Sequence, residues 1–201
     1  MRIRLISFLI AGFLIGALAG AAVLVVTMPP ASQLVETSGE ALVGGPFTLT
    51  GTDGKTVTDG NFRGRYMLVF FGFTHCPDIC PAELQVIAQA LDKLGDKASK
   101  VVPVFITVDP ERDTPKVMAE YVRSFGPNFV GLTGTPDEIA AAAKAYRVAY
   151  SKIENKDSTG DYTLDHSALV YLMGPDGKYV THLSYGESAE EMAERLDKLV
   201  Q

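Results

Sequence analysis

A single α/β domain behind one N-terminal transmembrane helix is the fold class this sequence predicts, and three observations predict it. Residues 67–73, MLVFFGF, are an unbroken apolar run of strand length, the pattern of a strand covered on both faces. After it Leu84, Ile87, Ala88, Leu91 and Leu94 recur at helical spacing, and residues 104–108 make a second buried strand. Strand, helix and strand at this spacing imply a right-handed parallel crossover. Residues 5–28 carry no charge. As a helix they would measure about 36 Å at 1.5 Å per residue, enough to cross a hydrocarbon core of about 30 Å.

The totals agree with one domain. The chain has 201 residues, and the remainder after the first 28 suits a single domain with a sizeable core. Its 18 Lys and Arg against 24 Asp and Glu give a net charge of −6. Two of the arginines, Arg2 and Arg4, precede the apolar segment, so the body is more acidic still. With no basic run, the composition argues against nucleic acid as a partner.

Arg2 and Arg4 place the N-terminus in the cytoplasm and the domain on the other side of the membrane. A cleaved signal peptide is the rival reading. Ala17-Leu-Ala19 matches an A-x-A site, but apolar residues continue well past it and exceed the usual h-region. The expectation is therefore an uncleaved anchor over residues 1–28, and no cysteine directly follows it to carry a lipid. Gly12, Gly16 and Gly20 repeat a G-x-x-x-G spacing that can pair helices, although small residues are common in such segments. The leader lacks the Arg- and Ser-rich character of a transit peptide. A single-pass bacterial inner-membrane protein with a periplasmic domain is expected, in a compartment where disulfides form.

Pro29-Pro30 ends the anchor, and residues 29–45 read as a linker. The domain is expected over residues 46–201. Phe47-Thr-Leu-Thr alternates as a strand, Asp53-Gly54 signals a turn, and Thr56-Val-Thr returns. Phe62-Arg-Gly-Arg bends the chain toward the central strand. Pro81 suits the first turn of the next helix, where a missing N–H costs nothing. Pro103 argues against a full-length central strand unless it sits at the strand's start. Thr114-Pro115 and Thr135-Pro136 open two further helices, the second with a capping box to Glu138. Residues 152–163 are polar and read as an exposed loop. An apolar strand over residues 168–173, a turn at Pro175-Asp-Gly177, a strand over 179–184, and a helix capped by Ser188 with Glu191 complete the chain. The order β-α-β, helix, hairpin, helix is that of a thioredoxin-like α/β domain.

Both cysteines, Cys76 and Cys80, lie between the first buried strand and its helix. Two thiols in one short motif do not make a disulfide framework; they suit a redox pair or a metal chelate. The nearby helix N-terminus favours thiolates through its unpaired N–H groups. Three intervening residues, not two, depart from the thioredoxin-type C-x-x-C, yet permit a disulfide and leave room for an ion. A third ligand would come from His75, His166 or His182. His75 adjoins Cys76, but adjacent side chains diverge. His182 looks exposed in the outgoing hairpin. His166 opens the strand that follows the polar loop, which a thioredoxin-like sheet places beside the cysteine strand, so its imidazole is the candidate. Zinc in structural sites takes four closed ligands, whereas copper accepts thiolate and imidazole. Two thiolates and one imidazole therefore favour copper in a site open to exchange. The triplet Asp109, Arg112 and Asp113 forms turns and caps, and is also placed to order the motif loop.

Three stretches carry a resemblance: Phe71-Gly-Phe-Thr-His-Cys-Pro-Asp-Ile-Cys-Pro81, Val108-Asp-Pro-Glu-Arg-Asp-Thr-Pro115 and Asp165-His-Ser-Ala-Leu-Val-Tyr171. In that order they resemble the Sco (SenC) family of membrane-anchored, thioredoxin-fold copper chaperones. The resemblance implies copper ligation by Cys76, Cys80 and His166. It implies delivery of copper to the dinuclear CuA centre of cytochrome c oxidase subunit II, and an upstream donor that loads the chaperone. The alternative it allows is a thiol–disulfide oxidoreductase that keeps the CuA cysteines reduced, with Cys76 attacking and Cys80 resolving. Delivery alone would not make the chain an enzyme. Asp78 and Asp165 flank the expected ligands, either as hydrogen-bonding supports or as exposed acidic turn residues. Between residues 129 and 174 the single proline, Pro136, starts a helix, in keeping with a family that puts the histidine region where thioredoxins have a cis-proline.

Overall fold

Strand β3 (Tyr66–Gly72) is the centre of the domain in the computed structural model, which describes residues 43–154 and 162–201. Its apolar residues from Met67 to Phe71 are all buried. Helix α1 (Ile79–Leu94) leads from it to strand β4 (Val101–Thr107), which pairs with β3 in parallel from Tyr66↔Val101 to Gly72↔Thr107. The crossover expected from the apolar pattern is therefore present.

β4 runs through Pro103. Strand β5 (Val130–Thr133) joins it in parallel only from Val104 onward, so no ladder on that flank calls on the N–H that Pro103 lacks. Helix α2 (Pro115–Arg123) connects β4 to β5. β5 is a strand the apolar pattern does not reveal, because it is four residues long and carries Gly131. On its outer side lies β1 (Thr48–Gly51), antiparallel to β5 and to β2 (Thr56–Thr58). The turn between β1 and β2 falls at Asp53-Gly54, with Gly54 at φ +77°, a conformation that glycine adopts freely.

On the other side of β3 stands β8 (Leu169–Met173), antiparallel to it, and then β9 (Tyr179–Ser184). The order across the seven-stranded sheet is β2-β1-β5-β4-β3-β8-β9. Helix α3 (Pro136–Ala145) follows β5, and α4 (Ala189–Leu199) closes the chain against α1.

Alternation along β3 divides the core into two layers. Phe70 meets Phe105, which meets Tyr121 of α2. Phe71 points the other way, against Tyr146 at the end of α3, which in turn meets Tyr171 of β8. Each fully buried aromatic contributes on the order of 1.5–3 kcal/mol. The helix starts lie where their caps are expected: Thr114, Thr135 and Ser188 each accept a backbone N–H of the first turn, the latter two with reciprocal Glu138 and Glu191 bonds.

The stretch read as a loop is corrected in part. Residues 150–154 form β6 (Tyr150–Glu154) and residues 162–166 form β7 (Tyr162–His166), an antiparallel pair separate from the main sheet. Only Leu164 of this pair is buried, so its composition is polar and its period carries no apolar signal. His166 ends β7 and does not open β8. Among the described residues no helix is long and apolar enough to cross a membrane; the expected anchor over residues 1–28 lies outside them.

Candidate metal and thiol site

The Cys loop leaves the C-terminal end of β3, where the chain must turn into α1. Phe73 is the last fully buried residue before the turn, and the Cys76 N–H closes it on the Phe73 carbonyl at 3.3 Å. Asp78 takes the N-cap position of α1 with no side-chain capping bond. Instead the Cys76 thiol reaches the helix end and accepts the Cys80 N–H at 3.4 Å. One donor of the helix N-terminus is thus turned toward Cys76.

The two thiols differ in surroundings. Both are free. Cys76 is partly exposed, whereas Cys80 is 0% exposed. Burial pushes the Cys80 thiol well above its ordinary value; a hydrogen bond with the Phe73 backbone opposes this, and Cys76 adds to it. Burial thus acts on Cys80 against the thiolate that the helix end was expected to favour. Cys80 sits against β3 at Gly72. A Cβ on that residue would lie 2.7 Å from the Cys80 sulfur and 2.8 Å from the Phe105 ring.

His166 faces this thiol. Its Nε2 is 3.4 Å from the Cys80 sulfur, and its Nδ1 lies 3.2 Å from the Ser167 carbonyl. The ring stands edge-on to Phe73 at 5.9 Å and to Phe70 at 6.1 Å. Burial lowers its pKa, with the Ser167 carbonyl and Asp165 acting against that. Partial burial thus favours the neutral imidazole, the state in which it can donate a lone pair to a metal. Of the other two histidines, His75 is half exposed, 3.1 Å from the Thr74 hydroxyl. His182 is exposed on β9, 2.6 Å from the Tyr179 hydroxyl. Neither meets the thiols. Asp78 and Asp165 are both exposed.

The structure thus brings Cys80 and His166 together, with Cys76 one hydrogen bond away. Among the described residues no set of three His, Cys, Asp or Glu side chains stands already gathered for an ion. Two soft sulfurs and one imidazole fit copper by donor type.

Residues outside the expected ligand set surround the site: the triplet Asp109, Arg112 and Asp113 stands beside the motif loop as expected, whereas Thr74, Thr107 and Tyr162 carry no signal in the chain's local pattern. Asp113 is 0% exposed. Its carboxylate accepts the Thr74 N–H at 3.0 Å, the Thr74 hydroxyl at 2.5 Å and the Thr107 hydroxyl at 2.6 Å. Asp109, equally buried, accepts the Tyr162 hydroxyl at 2.6 Å and pairs with Arg112. Arg112 donates to the Tyr162 carbonyl at 3.1 Å and lies over the Tyr162 ring at 3.8 Å. A cavity of about 560 Å³ opens here, lined by His75, Pro77, Arg112, Ile153 and Tyr162 among others.

Known proteins share this geometry's framework. The SCO1/SenC family model matches residues 35–201. The mitochondrial SCO1 homolog 1 of Arabidopsis thaliana is 47% identical over 162 residues, covering 80% of this chain and 48% of that one. The chain spans about half the length of the curated relatives it matches first. The crystal structure of Arabidopsis thaliana ScoI with copper bound is 46% identical at TM-score 0.73, over 78% of this chain and 96% of that one. The structure of Bradyrhizobium japonicum ScoI with copper bound is 48% identical at TM-score 0.72, over 79% and 99%. These likenesses run through the thioredoxin-like domain that holds the Cys loop and its facing histidine, and the chain belongs to the SCO1/SenC family.

Proposed function

We propose that this chain is a copper chaperone for cytochrome c oxidase assembly. It binds one copper ion through Cys76, Cys80 and His166 and delivers it to the CuA centre of subunit II. The single observation that carries the reading is the 3.4 Å approach of His166 Nε2 to the Cys80 sulfur. Thiol chemistry alone has no need of a neutral imidazole there. The Arabidopsis and Bradyrhizobium proteins, solved with copper bound, support it.

Copper here is cargo. Reduced thiols supply soft anionic donors, His166 supplies the third, and the partial exposure of Cys76 gives a recipient's ligands a point of attack. Oxidation of the pair to a disulfide abolishes the site, so loading requires reductant. Residues 1–28 anchor the domain in a bacterial inner membrane, with the N-terminus cytoplasmic and the site in the periplasm. An upstream chaperone supplies the copper.

A second reading is favoured by the unequal thiols. An accessible Cys76 above a buried Cys80 is the layout in which the first attacks a target disulfide and the second resolves the mixed disulfide. The product would be a reduced CuA site on subunit II and a Cys76–Cys80 disulfide here. The two readings separate on His166→Ala. Copper-loaded chain is mixed with the reduced, metal-free copper-binding domain of subunit II, the two are separated, and the copper carried by each is measured; reduction of the oxidised domain is followed in parallel. The chaperone reading expects the variant to lose metal transfer and keep reduction. Transfer at the wild-type level would overturn it.

A further inference from the structure

The two halves of the site share no strand pairing. The Cys loop hangs from β3, whereas His166 ends β7, and among the described residues β7 pairs only with β6. This two-stranded arm is tied at its base, where Ser167 N–H donates to the Ala149 carbonyl at 3.0 Å. Among the described residues no ladder fixes the arm against the Cys loop.

The loop after β4, residues 109–113, touches both halves. On one side Asp113 takes three hydrogen bonds, two of them from Thr74, two positions before Cys76. On the other, Asp109 and Arg112 hold the hydroxyl, ring and carbonyl of Tyr162, the first residue of β7. The two aspartates are joined through the backbone and Thr107. Asp113 N–H donates to the Asp109 carbonyl at 2.9 Å, and the Thr107 hydroxyl donates to Asp113 while accepting the Asp109 N–H at 2.9 Å. Both aspartates are buried, where hydrogen bonds to charge are strong and their loss is costly.

We infer that residues 109–113 are a clamp that sets the Cys80–His166 separation, with Asp113 acting through Thr74 on the thiols and Asp109 acting through Tyr162 on the imidazole. These are positioning residues; none is a ligand. The inference rests on the copper reading for its main readout, and it deepens that reading by naming what holds the third ligand in place.

The test uses the full chain with Cu(I) as the probe. Tyr162→Phe, Thr74→Val and Asp113→Asn are compared with wild type for Cu(I) affinity against a competing chelator, for the reduction potential of the Cys76–Cys80 pair, and for thermal unfolding. Tyr162→Phe removes one tie, the hydroxyl bond to Asp109, and from the histidine arm alone. It is expected to weaken Cu(I) binding by about tenfold, the worth of one hydrogen bond to a charged group, and to leave the reduction potential at its wild-type value. Thr74→Val is expected to move affinity and potential together, and Asp113→Asn to move both further. Lower unfolding temperatures with affinity and potential unchanged would make the loop merely structural and overturn the clamp. If Asp113→Asn does not fold, the other two variants decide. If wild type does not bind Cu(I), it is the copper reading that fails; the clamp then stands or falls on whether Thr74→Val shifts the reduction potential.

Discussion

The Cys80 thiol and the Nε2 of His166 stand 3.4 Å apart across 86 positions of chain. Neither residue could hold this place alone. Cys80 is fixed because α1 starts where β3 ends, and its sulfur rests on the bare backbone of Gly72. His166 is fixed by the rings of Phe70 and Phe73 and by the Ser167 carbonyl. A thiol with a raised pKa beside a neutral imidazole is a pair of uncharged groups, which burial tolerates. A metal cation in their place would convert them into ligands.

Burial predicts which thiol reacts first. Cys76 is partly exposed and Cys80 is buried with its thiol pushed upward, and the thiolate is the nucleophile. Limited iodoacetamide treatment of the reduced chain at pH 8, read by mass spectrometry, is expected to modify Cys76 well ahead of Cys80. Cys80→Ser should leave the Cys76 rate unchanged. Equal rates for the two thiols would contradict the unequal burial.

Gly72 predicts a cost in volume. Gly72→Ala places a methyl group 2.7 Å from the Cys80 sulfur and 2.8 Å from Phe105, inside van der Waals contact with a fully buried ring. Overpacking of this kind costs about 1–3 kcal/mol. Denaturant unfolding should show that loss, and Cu(I) binding should weaken because Cys80 is displaced. A variant as stable as wild type would mean that strand and helix can part at no cost.

Glu83 predicts a pH dependence remote from the ligands. This residue of α1 is buried with an oxygen that has no hydrogen-bond partner, and desolvation, helped by Glu187, raises its pKa to about 7. Because the folded value lies above the unfolded one, its contribution to stability is full below about pH 4.5 and is lost as pH rises through 7. The loss is at most about 3 kcal/mol. Glu83→Gln should therefore be more stable than wild type at pH 8, with the difference closing at pH 5. A difference that does not vary with pH would show that Glu83 does not titrate in this range.

Much of this was legible in the chain because it is local. Capping patterns at Thr114, Thr135 and Ser188 mark helix starts through residues three apart, and the apolar run before Cys76 marks the central strand through burial on both faces. The thioredoxin-like order led to His166 by a premise that holds only in part: β8 does pair with β3, but His166 ends β7, outside that sheet, and reaches the cysteines from the arm just before β8. What was not legible is long-range or unpatterned. β5 is short and interrupted by Gly131. The β6–β7 arm buries one side chain of its strands and so looks like loop. Thr74 and Tyr162 gain their roles only from aspartates 39 and 53 positions away. The sign of the Cys80 shift depends on burial, which the motif cannot state.

The central claim, a three-donor copper site, is tested most directly by anaerobic Cu(I) titration of the reduced chain against a strong chelator. Wild type, His166→Ala and Cys76→Ser are compared. One tightly bound equivalent is expected in wild type. Each variant should bind at least about a hundredfold more weakly, beyond what loss of a supporting hydrogen bond would cause. Binding that ignores His166 would contradict the account and leave the Cys76–Cys80 pair as a redox centre alone.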